Sequence, residues 1–198
     1  MCTAISTSSF FGRNLDLEFS YGESITITPR RFPFSFSSGE SLMSHYAIIG
    51  TALSGQEWPL YYDAINEKGL GCASLNFPEF AYYAKGKGKS VASYELIPYI
   101  LSFCSSVDEA EQLLKGLYIS DKAYSKDFPP SPLHYLIGDK DRSITVEATK
   151  EGLNVYPNPV GVLTNNPPFP YQMFALNNYM NLSAKPGKNI TPEDEPPR

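Results

Sequence analysis

Short runs in which every second residue is apolar organise most of the first two-thirds of this chain. Ser24-Ile25-Thr26-Ile27-Thr28 alternates strictly, the pattern of a half-buried strand. Residues 3–7 form a short strand-like segment ahead of it. Residues 45–51 and 71–75 mix apolar and small side chains, as buried strands do. Asn66-Glu67-Lys68-Gly69, between those runs, carries the residues of a hairpin turn. Helical spacing appears in the middle of the chain. Ser93 is a candidate cap for a helix carrying Leu96, Ile97, Ile100 and Leu101, with Pro98 early in it, where proline does least damage. Ser106-Val107-Asp108-Glu109 is a capping box. The stripe Val107, Ala110, Leu113, Leu114, Leu117 follows it. Strands resume at residues 133–137, at 144–148 after an Asp139-Lys140-Asp141-Arg142 turn, at 153–156 and at 160–163. Strands, then two helices, then strands predict an α+β layered domain over residues 1–182. From residue 183 the text turns polar and proline-rich, so residues 183–198 read as a flexible tail.

Composition narrows the classes. With 198 residues, 42% hydrophobic and 14% aromatic, the chain can bury one sizeable core. A net charge of −5 argues against a general nucleic-acid binder, which needs a basic face. Cys2, Cys72 and Cys104 are an odd, small set, so no disulfide framework is implied. They form no Cys-x-x-Cys pair and no cluster with His45 or His134, so no zinc or other metal is expected. The opening lacks a basic and apolar leader, and no apolar run approaches the ~20 residues of a membrane span. These features predict a cytoplasmic protein of a reducing compartment with no membrane partner. The run Lys85-Gly86-Lys87-Gly88-Lys89-Ser90 lacks the first glycine of a phosphate loop, since Tyr83 stands there, and reads as a solvated hairpin tip.

The sharpest chemical feature is cysteine at position 2. Initiator methionine is removed when the next residue is small, which would make Cys2 the mature N-terminus. One residue then holds both a thiol, with an ordinary pKa of about 8.5, and an α-amine at roughly 7.7–8.0. Near neutral pH the two can exchange a proton. The amine can therefore serve as the base that other cysteine enzymes take from histidine. Taken alone, Cys2 is equally a small residue in a first strand.

Three further segments change that. Met1-Cys2-Thr3 with Phe11-Gly12-Arg13-Asn14-Leu15-Asp16, the stretch from Asn66 to Pro78 (NEKGLGCASLNFP), and Gly161-Val162-Leu163-Thr164-Asn165-Asn166-Pro167 occur in this order. Together they resemble the choloylglycine hydrolase family, a branch of the N-terminal nucleophile hydrolases, over roughly residues 1–182. The resemblance implies an αββα four-layer sandwich. It implies Cys2 as nucleophile, its own amine as base, Arg13 beside the thiolate and Asp16 near the amine. A guanidinium there favours the thiolate and donates to it. Asn76 and Asn165 match the oxyanion-hole positions, Asn76 through its backbone and Asn165 through its side chain. Neutral donors around that oxygen can lower the barrier by about 3 kcal/mol or more.

The substrate implied is a glycine- or taurine-conjugated bile salt, because asparagine at position 76 resembles the bile salt hydrolases and tyrosine there is typical of penicillin V acylases. Penicillin V or an acyl-homoserine lactone is the alternative substrate for the same chemistry. A non-catalytic binding paralogue is the other alternative. No cofactor is implied. Phe19, Tyr21, Ile65, Phe77 and Phe128 are candidates to cover a steroid face, and each singly reads better as core. Relatives are commonly homotetramers. Family members are considerably longer, and their second half carries a further arginine in a Ser-Arg-Phe-type motif. Nothing after Asn165 matches it. The resemblance therefore implies a sandwich incomplete at its C-terminus, with open sheet edges, uncovered apolar surface and impaired activity.

Overall fold

Alternation along the strands sorts this chain into two cores on opposite faces of one sheet. The computed structural model describes residues 1–53, 59–84, 88–180 and 182–184. Residues 85–87 of the lysine–glycine run and nearly all of the tail expected at 183–198 lie outside them. Among the described residues the strands are β1 (Thr3–Ser6), β2 (Phe11–Asn14), β3 (Glu23–Thr28), β4 (Phe34–Ser35), β5 (Ser41–Leu42), β6 (Ile48–Leu53), β7 (Leu60–Asn66), β8 (Gly71–Asn76), β9 (Ser90–Ala92), β10 (Tyr118–Ser120), β11 (Leu133–Gly138), β12 (Ser143–Thr149), β13 (Gly152–Pro157) and β14 (Val162–Thr164). The helices are α1 (Leu96–Phe103), α2 (Val107–Leu114) and α3 (Phe169–Leu176).

Seven strands pair antiparallel in the order β13-β12-β11-β8-β7-β6-β3, and a second sheet runs β14-β1-β2. Tyr135 and Ile137 of β11 and Ile144, Val146 and Ala148 of β12 face one way, onto Ile97, Ile100 and Leu101 of α1 and Val107, Ala110 and Leu114 of α2. Leu136 of β11 and Ala73 and Leu75 of β8 face the other way, onto Cys2, Ala4 and Leu163 of the small sheet. Each large apolar side chain so buried contributes about 1.5–3 kcal/mol. Helix, sheet and sheet are thus stacked in the α+β, αββα-type layering that the resemblance implied.

The strict alternation of β3 holds, but its apolar face is the exposed one. Ile25 is 72% and Ile27 67% exposed. Thr28 is the buried end, its hydroxyl 2.6 Å from that of Tyr61. The small sheet packs chiefly over β7, β8 and β11, so the outer strand β3 is left beyond its reach. Ser93 is not the cap of α1. A one-turn segment, Ser93–Glu95, precedes the helix, and the Glu95 carboxylate accepts the Ala92 N–H at 2.8 Å and the Ser37 hydroxyl at 2.8 Å. The cap of α2 stands as expected: Ser106 Oγ accepts the Glu109 N–H at 3.3 Å. The Glu109 carboxylate reaches back to the Ser105 N–H instead of that of Ser106.

The turn at 66–69 also ties the sheet to the helix layer. Asn66 Oδ1 accepts the N–H groups of Lys68 and Leu70 at 3.0 and 3.1 Å, which closes the hairpin. Asn66 Nδ2 donates to the carbonyls of Leu101 and Cys104, which would otherwise be orphaned at the end of α1. The residue is 3% exposed, so none of these groups turns to bulk water when the side chain goes. Asn66→Ala should lower unfolding free energy by about 3 kcal/mol, read from urea melts.

Candidate active site

Gly71 has no side chain, and the space is taken by the ring of Phe11: a Cβ there would lie 2.4 Å from Phe11 Cγ. This close approach lets β2 lie over β7 and β8 and places Arg13 between the sheets. β2 pairs antiparallel with β1, with Ala4 opposite Arg13, so the residue just before β1 is held near the guanidinium. That residue is Cys2, 6% exposed. Arg13 Nη2 donates to the Cys2 sulfur at 3.1 Å.

The Arg13 side chain is 4% exposed, so its charge must be met inside the protein. Nη1 donates to the backbone carbonyl of Tyr62 at 3.1 Å. That carbonyl is available because β7 bulges there. The register against β6 runs Thr51↔Asp63 and then Ala52↔Tyr61, which makes Tyr62 an extra residue. Bulges of this kind re-aim backbone groups and neighbouring side chains. Ser74 Oγ donates to the same carbonyl at 3.0 Å. The bulge also lets Tyr61 stay in the helix-side core, while Asp63 Oδ2 comes within 3.8 Å of Arg13 Nε. Burial pushes the Asp63 carboxyl above its ordinary value, against the opposing pull of Arg13.

Asn165 joins the other side. Its Oδ1 accepts the Cys2 N–H at 2.6 Å, and its Nδ2 donates to the Asn76 carbonyl at 2.7 Å. The neighbouring Asn166 points elsewhere, donating to the Pro78 carbonyl at 3.0 Å. The two asparagines therefore clamp the 76–78 segment, and Asn165 is the one that reaches Cys2. Asn76 is exposed at the end of β8, beyond the β7–β8 ladder, which ends at the Asp63↔Ala73 pair. The Asp16 carboxylate pairs with the Met1 ammonium, and its backbone carbonyl is 3.9 Å from the Cys2 sulfur. Asn14 accepts the Thr3 N–H at 2.7 Å and fixes the same entry segment.

Cys2, Arg13, Asp16, Asn76 and Asn165 are thus brought into one cluster, although Asn165 meets the Cys2 nitrogen and not its sulfur. The apolar candidates divide. Phe19 and Tyr21 are exposed and 4.7 Å apart, and Ile65 lies two residues after Asp63 on the same face of β7, opposite Ile49 and Gly71. Phe77 is fully buried and stacks on His134 at 4.3 Å, so it is core. Phe128 packs on Tyr124, in the loop that meets Tyr94 beside α1.

Tyr62, Asp63, Ser74 and Gln172 belong to the cluster and were not singled out from the sequence. Gln172 Nε2 donates to the carbonyls of Asn165 and Pro167 at 2.8 and 2.6 Å, so α3 holds the asparagine loop. Asp63 had a signal, a lone acid in the apolar run Tyr61-Tyr62-Asp63-Ala64-Ile65. Gln172 had none, because Pro168 and Pro170 disguise the start of α3. The other two thiols sit in the helix-side core, where burial pushes Cys104 up to about 12 and Cys72 further up. In the folded chain at about pH 8, Cys2 should be alkylated at least ~10-fold faster than Cys72 or Cys104, as read by peptide mass spectrometry.

The model of the choloylglycine hydrolase family of linear amide C–N hydrolases matches residues 2–196. The chain belongs to that family. It is 50% identical over 98% of its length to a bile salt hydrolase/transferase of Lactiplantibacillus plantarum, of which it covers 60%. It superimposes with a TM-score of 0.86 on a C2A mutant of the conjugated bile acid hydrolase from Clostridium perfringens, at 36% identity, covering 98% of this chain and 62% of that one. A penicillin V acylase from Agrobacterium tumefaciens shares the fold, with a TM-score of 0.72 at 22% identity, over 90% of this chain and 56% of that one. The chain thus spans about 60% of the length of the curated choloylglycine hydrolase relatives it matches. Among the described residues no helix is long and apolar enough to cross a membrane.

Proposed function

We propose that this chain carries the nucleophile-bearing part of an amidase that cleaves glycine- or taurine-conjugated bile salts. The carrying observation is the 3.1 Å contact from Arg13 Nη2 to the Cys2 sulfur. Once Met1 is removed, the Cys2 nitrogen is a free amine next to Asn165 Oδ1, which fixes its direction. The amine takes the thiol proton, and the sulfur attacks the amide carbonyl. One hydrogen of Asn165 Nδ2 is committed to the Asn76 carbonyl. The second, together with the Asn76 backbone N–H, is the donor pair for the developing oxyanion. The protonated amine then gives its proton to the leaving nitrogen, a thioester remains on Cys2, and water releases the bile acid. Asp16, which holds the Met1 ammonium in the structure, is placed to balance the charge of the freed amine. The names of the relatives support this substrate class, as does asparagine at position 76. All three cysteines are free, which suits a reducing cytoplasm.

The test is hydrolysis of glycocholate and taurocholate by the purified chain, with removal of Met1 checked by intact mass. Release of glycine or taurine at rates above those for penicillin V and an acyl-homoserine lactone supports the proposal. A Met1-free, folded chain that releases neither amino acid overturns it for this chain.

A further inference from the structure

The Arg13 guanidinium stands between two acids that do not touch each other. Its Nη2 reaches the Cys2 sulfur at 3.1 Å, while its Nε lies 3.8 Å from Asp63 Oδ2. The Nε hydrogen is buried and has no partner among the described residues. The 3.8 Å approach is too long for a hydrogen bond, so the carboxylate acts on Arg13 through charge. Thr51 stands directly opposite Asp63 in the β6–β7 pairing, next to the bulge. From this arrangement we propose that Asp63 is a positioning residue that shares the charge of Arg13 with the Cys2 sulfur and thereby sets the pH at which the reactive thiolate forms.

The argument is one of competing anions around a single buried cation. A guanidinium with no counter-ion would give its whole field to the sulfur. A second anion on its far side offsets part of that field, so each ionisation disfavours the other. Among the described residues, the remaining titratable groups around the pair do not take this place. The Tyr62 hydroxyl, beside Arg13 on β7, is pushed up by burial and stays neutral. Cys72 lies on the helix-side face of β8, opposite Ala64, and burial pushes it up, so it stays neutral as well. Tyr21 and Glu23 act on Tyr62, and the carboxylate of Glu23 is engaged by Ser20 and the Tyr21 N–H. The Asp16 carboxylate is paired with the Met1 ammonium and, once Met1 is removed, is left to the freed Cys2 amine on the other side of the sulfur. Among the described residues, Asp63 is then the carboxylate that faces the guanidinium itself. This inference rests on Cys2 as the reactive sulfur but not on any substrate.

The experiment follows the rate of Cys2 alkylation by iodoacetamide in the full chain from about pH 5 to about pH 10, with the modified peptide identified by mass. Asp63→Asn keeps the shape and removes the charge. It should move the midpoint of that profile down by about one pH unit. Asp63→Glu should return it towards the wild-type midpoint. A folded Asp63→Asn protein with an unmoved or raised midpoint overturns the proposal. Should that variant not fold by circular dichroism, the wild-type chain decides. The 13C signal of the Asp63 carboxyl should show a second inflection where Cys2 titrates, because coupled groups sense each other. A carboxyl signal blind to the thiol overturns the proposal. Loss of bile salt hydrolysis alone moves neither readout, so failure of the substrate assignment is distinguishable.

Discussion

Cys2→Ser should reduce the release of glycine from glycocholate at least ~10³-fold, with the circular dichroism spectrum and urea midpoint unchanged. Serine differs from cysteine here by one atom, and its hydroxyl fits where the thiol sits. What it lacks is an anion accessible near neutral pH. On the proposed mechanism, Arg13 Nη2, 3.1 Å from the sulfur, donates to the attacking thiolate. The same guanidinium cannot bring an ordinary hydroxyl within reach of that state. The neighbouring amine, a base near pKa 8, is likewise matched to a thiol and not to an alcohol. Continuous assay of amino-acid release checks the prediction. Residual activity within about tenfold of wild type would remove Cys2 from the centre of the mechanism.

Asn165→Ala should have the second-largest effect, lowering kcat by about 10²–10³-fold while changing KM little. The side chain does two things at once. Its Oδ1 directs the Cys2 nitrogen, and its Nδ2 bridges to the Asn76 carbonyl. On the proposed mechanism, truncation removes an oxyanion donor and frees the end of β8 that carries the other. Asn166→Ala is the control. It loses the bond to Pro78 but none to Cys2, so its kcat should stay within about tenfold of wild type. Equal losses at 165 and 166 would point to loop disorder in place of oxyanion stabilisation.

Much of the scaffold is legible from the sequence because it depends on local rules. The cap at Ser106, the turn at Asn66 and the strands around residues 133–157 all follow from residue type and period. The cluster of Cys2, Arg13 and Asn165 is legible through family motifs and not through spacing, since it joins residues 163 apart. Three kinds of feature escape. The outward isoleucines of β3 depend on how far a second sheet extends, which alternation cannot report. The bulge at Tyr62 breaks the period of β7 and hides that strand. α3 begins in a proline-rich stretch, and its N-terminus is met by a buried glutamate, Glu147, whose Oε1 accepts the Phe169 N–H at 2.9 Å. That contact spans 22 positions and leaves no local mark.

The bulge on β7 has a consequence for mutagenesis and for drift. The carbonyl that steadies Arg13 is part of the main chain at Tyr62, so an alanine scan passes over it and every codon at that position preserves it. Its vulnerability lies in residue count. Deleting one residue between Leu60 and Asp63 would iron the strand flat and take that carbonyl away, while the Thr51↔Asp63 and Ala52↔Tyr61 pairs keep the acid on its own face.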